Sequence, residues 1–105
     1  MNTKYLLNGL KLSEKEERHL EAKTSKIEKF FKECKNPDEL RLEIDVKQDK
    51  KAFWTLELMV KTPKQLFRVT KTEKTFMTTV DIAMDTLMRQ LRRHKDKMVS
   101  QARRK

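Results

Sequence analysis

The sequence has few of the residues from which small catalytic and metal sites are built. A single cysteine, Cys34, excludes an internal disulfide bond and is typical of a reducing compartment. The soft metal ligands are Cys34, His19 and His94, and no two lie within four residues of each other, whereas zinc sites are usually marked by close pairs. The single glycine, Gly9, excludes a glycine-rich phosphate-binding loop. We therefore expect no metal, no cofactor and no enzymatic activity.

Long hydrophobic runs are also absent. No stretch approaches the roughly 20 apolar residues of a membrane-spanning helix, and the first fifteen residues have no apolar segment long enough for a signal peptide. We therefore expect a cytoplasmic protein with no membrane partner.

Acidic residues are scarce in the second half of the chain. Lysine and arginine number 26 against 16 acids, a net charge of +10. Residues 1–50 contain 12 basic and 11 acidic side chains, whereas residues 51–105 contain 14 and 5. From Thr86 onward there are eight basic residues and one acid. A surface meant only for solubility mixes both signs, so this placement predicts an anionic partner, most often nucleic acid.

The first third of the chain predicts a strand followed by a helix. Residues 3–9 are a short apolar run that ends in Asn-Gly. Ser13 and Glu16 then form a capping-box pattern, which marks a helix start. One helical face follows, at spacings of four, three, four and three: Leu20, Thr24, Ile27, Phe31 and Cys34. Asn36-Pro37 is expected to end this helix.

The period of the hydrophobic pattern then changes to two residues and later returns to 3.6. Residues 40–49, 53–61 and 65–72 alternate apolar and polar side chains, which predicts an antiparallel meander with one face in water. A second helix is expected from about Thr75 to beyond Ser100, with His94 at a seam position and an apolar stripe of Met77, Val80, Met84, Leu87, Leu91 and Met98. The result is a single α+β domain over residues 1–105, of order β-α-β-β-β-α, with a four-stranded sheet and two helices packed on one face.

The second helix is expected to extend past the sheet. A helix of roughly 28 residues is about 42 Å long, whereas a compact chain of this size is about 34 Å across. The projecting end would be the basic segment 89–105. Within it Arg89, Arg93 and Lys97 share one face, at about 6 Å per step, which matches a phosphate backbone. A membrane surface fits less well, because the apolar stripe is committed to the sheet.

Other features have two interpretations. The lysines of the first helix, Lys23, Lys26 and Lys29, alternate with glutamates and form either a mixed solvated surface or part of the interface. Asp81 and Asp85 are one helical turn apart, as in a general acid–base pair, but acids early in a helix also complement its dipole.

Apolar side chains raise the same question. The methionines at helical spacing form either core or an adaptable binding surface. Phe53 and Trp54 adjoin in a predicted strand and point to opposite faces, so that one is core and the other is either a base-stacking or a packing contact.

Two segments resemble a known family, the bacterial ribosome hibernation promoting factors and their relatives, the ribosome-associated translation inhibitors. LEAKTSKIEKFF, residues 20–31, is similar to the family's first helix, and TTVDIAMDTLMRQLRRHKDK, residues 78–97, is similar to its second. Thr78 and Thr79 stand where the family usually has alanines, and Met77 stands where an aromatic residue is common. The absence of a second domain resembles the short form of the family.

The resemblance implies the family's β-α-β-β-β-α fold and a function without chemistry. It implies binding to the small ribosomal subunit in the decoding channel, where the protein occludes mRNA and the A- and P-site tRNAs and inhibits translation in stationary phase or stress. Short forms of the family typically assist a separate ribosome-pairing factor, whereas the inhibitor-type relatives hold ribosomes unpaired, and the resemblance is compatible with both. The protein is expected to be a monomer off the ribosome. The implied contacts with ribosomal RNA are Lys23, Lys26, Lys29, Arg89, Arg92, Arg93, Lys95 and Lys97.

Two alternatives compete with this interpretation. A generic double-stranded RNA-binding domain shares an α-β-β-β-α core, but it uses a Gly-Pro-His-type loop and lysines at the start of its last helix. Here the loop is Thr62-Pro63-Lys64-Gln65, and the basic residues lie at the far end of the helix. A protein-binding regulator that docks through the sheet or the methionines would leave the basic segment unexplained.

Overall fold

The secondary structure follows the predicted order. A computed structural model describes residues 2–33, 40–63 and 65–103, and of these it describes the backbone alone at 33 and 96–103. Its elements are β1 (Asn2–Leu6), α1 (Glu14–Glu33), β2 (Arg41–Gln48), β3 (Trp54–Lys61), β4 (Leu66–Glu73) and α2 (Phe76–Arg103). The α+β class and the β-α-β-β-β-α order are confirmed.

The four strands form one mixed sheet in the order β1-β2-β3-β4. β1 is parallel to β2, with Tyr5 beside Ile44, because α1 is the crossover between them. β2, β3 and β4 pair antiparallel, with Ile44 opposite Leu58 and Leu58 opposite Val69, so the predicted meander is confirmed.

One face of the sheet carries the core and the other faces water. The core-facing side chains alternate along the strands as the sequence predicts, and both helices cover this face. Polar and charged residues such as Glu43, Glu57 and Arg68 occupy the open face. The buried apolar residues are Leu20, Ile27, Phe31, Leu40, Leu42, Ile44, Val46, Leu56, Leu58, Val60, Phe67, Val69, Phe76, Val80, Ala83, Met84, Leu87 and Leu91.

The start and the buried face of α1 are as predicted. The Ser13 amide donates to Glu16 Oε1 at 2.8 Å and the Glu16 amide donates to Ser13 Oγ at 3.1 Å, which completes the capping box. The predicted face is buried, and the Thr24 hydroxyl on it donates to the Leu20 carbonyl at 2.8 Å. Cys34 and the predicted stop at Asn36-Pro37 lie outside the described residues.

The buried face of α2 differs from the prediction at its first turn. Phe76, not Met77, enters the core, and its ring packs edge-on against Trp54 with 5.3 Å between centroids. Met77 is half-buried, while Thr79 and Ala83 are fully buried. The buried arc is wider than a single stripe because α2 packs against both the sheet and α1. The side chain of Met98 lies outside the described residues.

The placement of Phe53 is also corrected. β3 begins at Trp54, so Phe53 belongs to the preceding turn, where its amide donates to Asp49 Oδ1 at 3.0 Å. Trp54 lies on the helix-covered face and packs against the core, so it is the core member of the predicted pair. The expected turn at 62–64 is only partly described, since Lys64 lies outside the described residues.

The length of α2 makes the molecule elongated. Its 28 residues correspond to about 42 Å. The molecule extends 53 × 23 × 20 Å. His94, near the C-terminal end of the described side chains of α2, still contacts the sheet. Its ring lies 5.4 Å from the Phe67 ring, measured between centroids. In the described part of the chain, no helix is long and apolar enough to cross a membrane.

Candidate nucleic-acid interface

The two helices lie side by side on the sheet and enclose a groove. His19 of α1 contacts Asp81 of α2, and Phe30, farther along α1, contacts Lys95, farther along α2. The contacts advance in the same sense on both helices, so α1 and α2 run in the same direction. Their basic C-terminal halves therefore lie at the same end of the molecule.

The groove has a polar rim and an apolar floor. Its volume is about 460 Å³, and its lining residues are Lys23, Lys26, Lys29, Phe30, Asp81, Met84, Asp85, Met88 and Arg92. Phe30, Met84 and Met88 supply the floor and also pack on the core. Met84 is therefore a buried core residue at the bottom of the groove, and Met88 is a half-buried residue that packs on the core and is partly exposed to the groove.

We define the latched end of the groove as His19, Lys23 and Asp81. His19 Nε2 lies 2.7 Å from Asp81 Oδ1, and Lys23 Nζ lies 3.6 Å from the same oxygen. Asp81 thus joins α2 to two side chains that are one turn apart on α1. The positive charge of Lys23 is therefore paired with a carboxylate within the contact between the helices.

We define the cationic end as the groove-lining Lys26, Lys29 and Arg92 together with the adjacent Arg93 and Lys95 of α2, which lie outside the lining. Among the described side chains, none of these five has a carboxylate within 4.0 Å. Lys95 Nζ lies over the Phe30 ring, 5.7 Å from its centroid, and Arg92 Nε donates to the Met88 carbonyl at 3.2 Å. These two contacts position cations at the rim without neutralising them.

The charges of α1 differ between the two flanks of its buried face. Glu17 and Glu21 lie near Tyr5 of β1, where burial raises the pKa of the Tyr5 phenol and the two carboxylates raise it further. The lysines at 23, 26 and 29 line the groove on the other side of the buried face. The groove flank of α1 is therefore basic, although its sequence alternates in sign.

The structure brings together half of the predicted contact residues in the groove. Lys23, Lys26, Lys29 and Arg92 line it, and Lys95 lies at its end, over Phe30. Arg89 and Arg93 are exposed and are not groove-lining, and Arg89 lies 3.9 Å from Asp85. The backbone of Lys97 continues α2, but its side chain lies outside the described residues.

Sequence reasoning missed the role of Asp81 in joining the helices. The spacing of Asp81 and Asp85 suggested either acid–base chemistry or a dipole effect, whereas the structure places Asp81 in contact with His19 and in an ion pair with Lys23 of α1. No local pattern could reveal this, because His19 and Asp81 are 62 residues apart. Among the side chains that the structure describes, no group of three or more His, Cys, Asp or Glu residues could hold a metal ion.

Comparison with protein families gives one match, which covers most of the chain. Residues 7–99 match the family described as "Sigma 54 modulation protein / S30EA ribosomal protein". Comparison with curated protein sequences gave no match.

Two solved structures have the same fold. The Protein Y N-terminal domain of Thermus thermophilus is 21% identical, with a TM-score of 0.71 over 90% of this chain and 99% of that one. A ribosomal subunit interface protein from Coxiella burnetii is 20% identical, with a TM-score of 0.72 over 91% of this chain and 99% of that one.

Proposed function

Because the chain belongs to the Sigma 54 modulation protein / S30EA ribosomal protein family, we propose that it is a hibernation factor that binds the small ribosomal subunit. The membership confirms the resemblance found in residues 20–31 and 78–97, and it makes the chain a ribosome-associated protein. In the proposal, the protein occupies the decoding channel, excludes mRNA and the A- and P-site tRNAs, and inhibits translation in stationary phase or stress.

The observation that carries the proposal is the cationic end of the groove. Five cations on two adjacent helices lack carboxylate partners among the described side chains, and α2 continues beyond them to Arg103. Unpaired cations on a rigid scaffold favour a polyanion, because binding releases the condensed counterions of its phosphates. The groove also has an apolar floor between its cations. Such a floor favours folded RNA, which has unstacked bases, over a uniform duplex.

The proposed mechanism is steric occlusion without a chemical step. Helices packed on a sheet form a rigid body that cannot share its volume with tRNA. Phosphate contacts supply affinity, and the approximately 42 Å length of α2 extends the contact surface beyond the sheet. With six to ten phosphate contacts, affinity is expected to fall about 10³- to 10⁵-fold between about 50 and 200 mM salt.

The remaining parts of the proposal concern state and partners. The chain acts as a single cytoplasmic domain, without cofactor or catalysis, and is a monomer off the ribosome. It assists a separate ribosome-pairing factor once the channel is occupied. Sucrose-gradient profiles with and without the protein test this last point: more paired ribosomes support assistance, and fewer oppose it.

Co-sedimentation with purified small subunits at about physiological salt tests the central claim. Purified tRNA and mRNA are the competitors, and free duplex RNA is the control. We expect saturable binding that tRNA abolishes. Equal binding to duplex RNA, indifferent to tRNA, would instead identify a generic double-stranded RNA-binding domain.

A further inference from the structure

We infer that the groove between α1 and α2 binds one unpaired nucleotide of the RNA, with Asp85 as the acceptor for the amine edge of its base. This inference rests on the proposed function, because it specifies how part of the bound RNA is recognised. Asp85 would thus be an acidic residue that contributes to RNA binding within an otherwise basic surface.

The groove has the three kinds of surface that an unstacked nucleotide requires. Lys26, Lys29 and Arg92 can contact a phosphate, while the half-buried side chains of Phe30 and Met88 can contact the faces of a base. A carboxylate at the rim can accept hydrogen bonds from the base edge. The volume of about 460 Å³ lies within the range of sites for small organic ligands.

Of the two carboxylates in the groove, Asp85 is the one available to a ligand. Asp81 already accepts His19 at 2.7 Å and Lys23 at 3.6 Å. Asp85 has one described ionic neighbour, Arg89, at 3.9 Å, and its side chain is 77% exposed. Such a loose surface ion pair contributes little and is readily exchanged for a ligand.

The order of charges along α2 fixes the orientation of the nucleotide. Asp85 and Arg92 are seven residues apart, which places them about 10.5 Å apart along the helix axis. The base therefore lies towards Asp85 and the phosphate towards Arg92, because the reverse orientation would set phosphate against carboxylate.

The chemistry of a carboxylate predicts which base is preferred. Guanine presents N1–H and N2–H side by side, so both oxygens of Asp85 can accept from it. Hypoxanthine lacks the N2 amine and is otherwise the same, which makes inosine monophosphate the matched comparison. Loss of one such hydrogen bond in a half-open groove is expected to reduce affinity about threefold to tenfold.

The experiment titrates the whole chain, labelled with ¹³C at its methionine methyl groups, with guanosine and inosine 5′-monophosphates at low salt. Met84 and Met88 report from the groove, and Met59 on the open face of the sheet is the internal control. Asp85→Asn is compared with Glu14→Gln, which makes the same charge change at an exposed position outside the groove lining.

We expect the Met84 and Met88 signals to shift saturably while Met59 does not, with guanosine monophosphate bound about threefold to tenfold more tightly. Asp85→Asn should abolish this ratio, even if removing a negative charge raises affinity for both nucleotides, and Glu14→Gln should keep it. Equal affinities in the unaltered protein, unmoved Met84 and Met88 signals, or a ratio that survives Asp85→Asn would each overturn the inference.

Co-sedimentation of the same proteins with small subunits separates this inference from the proposed function. Subunit binding with a guanosine-to-inosine affinity ratio of one rejects the nucleotide site and leaves the proposed function intact. Absence of subunit binding in the unaltered protein rejects the proposed function, whereas the ratio still reports on the groove.

Discussion

The two ends of the groove contain the same kinds of side chain and use them differently. At the latched end, the charge of Lys23 is balanced by Asp81, which also holds His19. At the cationic end, Lys26, Lys29 and Arg92 face the same groove with no carboxylate within 4.0 Å among the described side chains. The number of cations on a surface therefore overestimates how many can contact a polyanion. The positions of a few acidic residues decide which cations are available.

The two ends are also expected to differ in energetic role. A partly exposed ion pair such as Lys23–Asp81 stabilises a fold by only about 0–1 kcal/mol, so the latched end affects the relative position of the helices more than the stability of the domain. Unpaired cations contribute nothing to folding and weaken it slightly by repulsion, and they become favourable only when phosphate is bound.

The largest expected effect separates folding from binding at adjacent residues of α1. Ile27 is fully buried, so Ile27→Ala should lower the free energy of unfolding by about 2–4 kcal/mol in urea denaturation. Lys26→Ala lies one position away on the groove rim, and it should change stability by less than about 0.5 kcal/mol while it weakens RNA binding. Similar losses of stability in both variants would contradict this division.

Charge reversal at the cationic end should have the next largest effect. Arg92→Glu with Arg93→Glu is expected to reduce affinity for small subunits about fifty-fold or more, since each lost phosphate contact removes ~0.9 from the slope of log K against log salt. Arg18→Glu is the matched control, because Arg18 is an exposed arginine at the other end of α1, close to Glu14. Co-sedimentation across a salt series measures both, and an unchanged slope in the double variant would rule out these phosphate contacts.

Removing the Asp81 carboxylate at the latched end should have a smaller effect, lowering stability and raising the salt dependence of RNA binding. Asp81→Asn removes the ion pair with Lys23 and the carboxylate that contacts His19, so we expect a loss of about 1 kcal/mol and a decrease in Tm of about 4–8 °C. The released Lys23 should also increase the salt slope of subunit binding by up to about one. Glu14→Gln controls for the charge change, and a Tm decrease without any change in slope would mean that Lys23 does not become available to RNA.

The smallest expected effect tests the acidic flank of α1. The pKa of Tyr5 is raised in the folded protein by burial and by Glu21 and Glu17, so the folded state holds the phenolic proton more tightly than the unfolded state. Stability should therefore fall as pH rises through the ordinary tyrosine pKa of about 10, and level off above the raised value. Tyr5→Phe should remove this component, which the difference in Tm between the two proteins from about pH 9 to 11.5 would measure. Identical profiles would mean that folding does not raise the pKa of Tyr5.

Much of the fold was predictable because its signals are local. The capping box joins Ser13 and Glu16, which are only three residues apart. The period-two alternation of residues 40–49 can be recognised without knowing which helices cover the strand. The errors occurred where neighbours decide. Phe76 and not Met77 enters the core because Trp54 lies there to pack against it, and Phe53 leaves the strand because Asp49 caps the turn.

The candidate site divides in the same way. The sequence by itself determined the order of strands and helices, and it placed the excess of basic residues in the C-terminal segment, since periodicity and charge are properties of consecutive residues. Only the tertiary structure decided which cations are paired and which are available, and which carboxylate is open to a ligand. The physical reason is range: helical spacing relates residues three or four apart, whereas the contact of His19 with Asp81 depends on how two helices pack on a shared sheet.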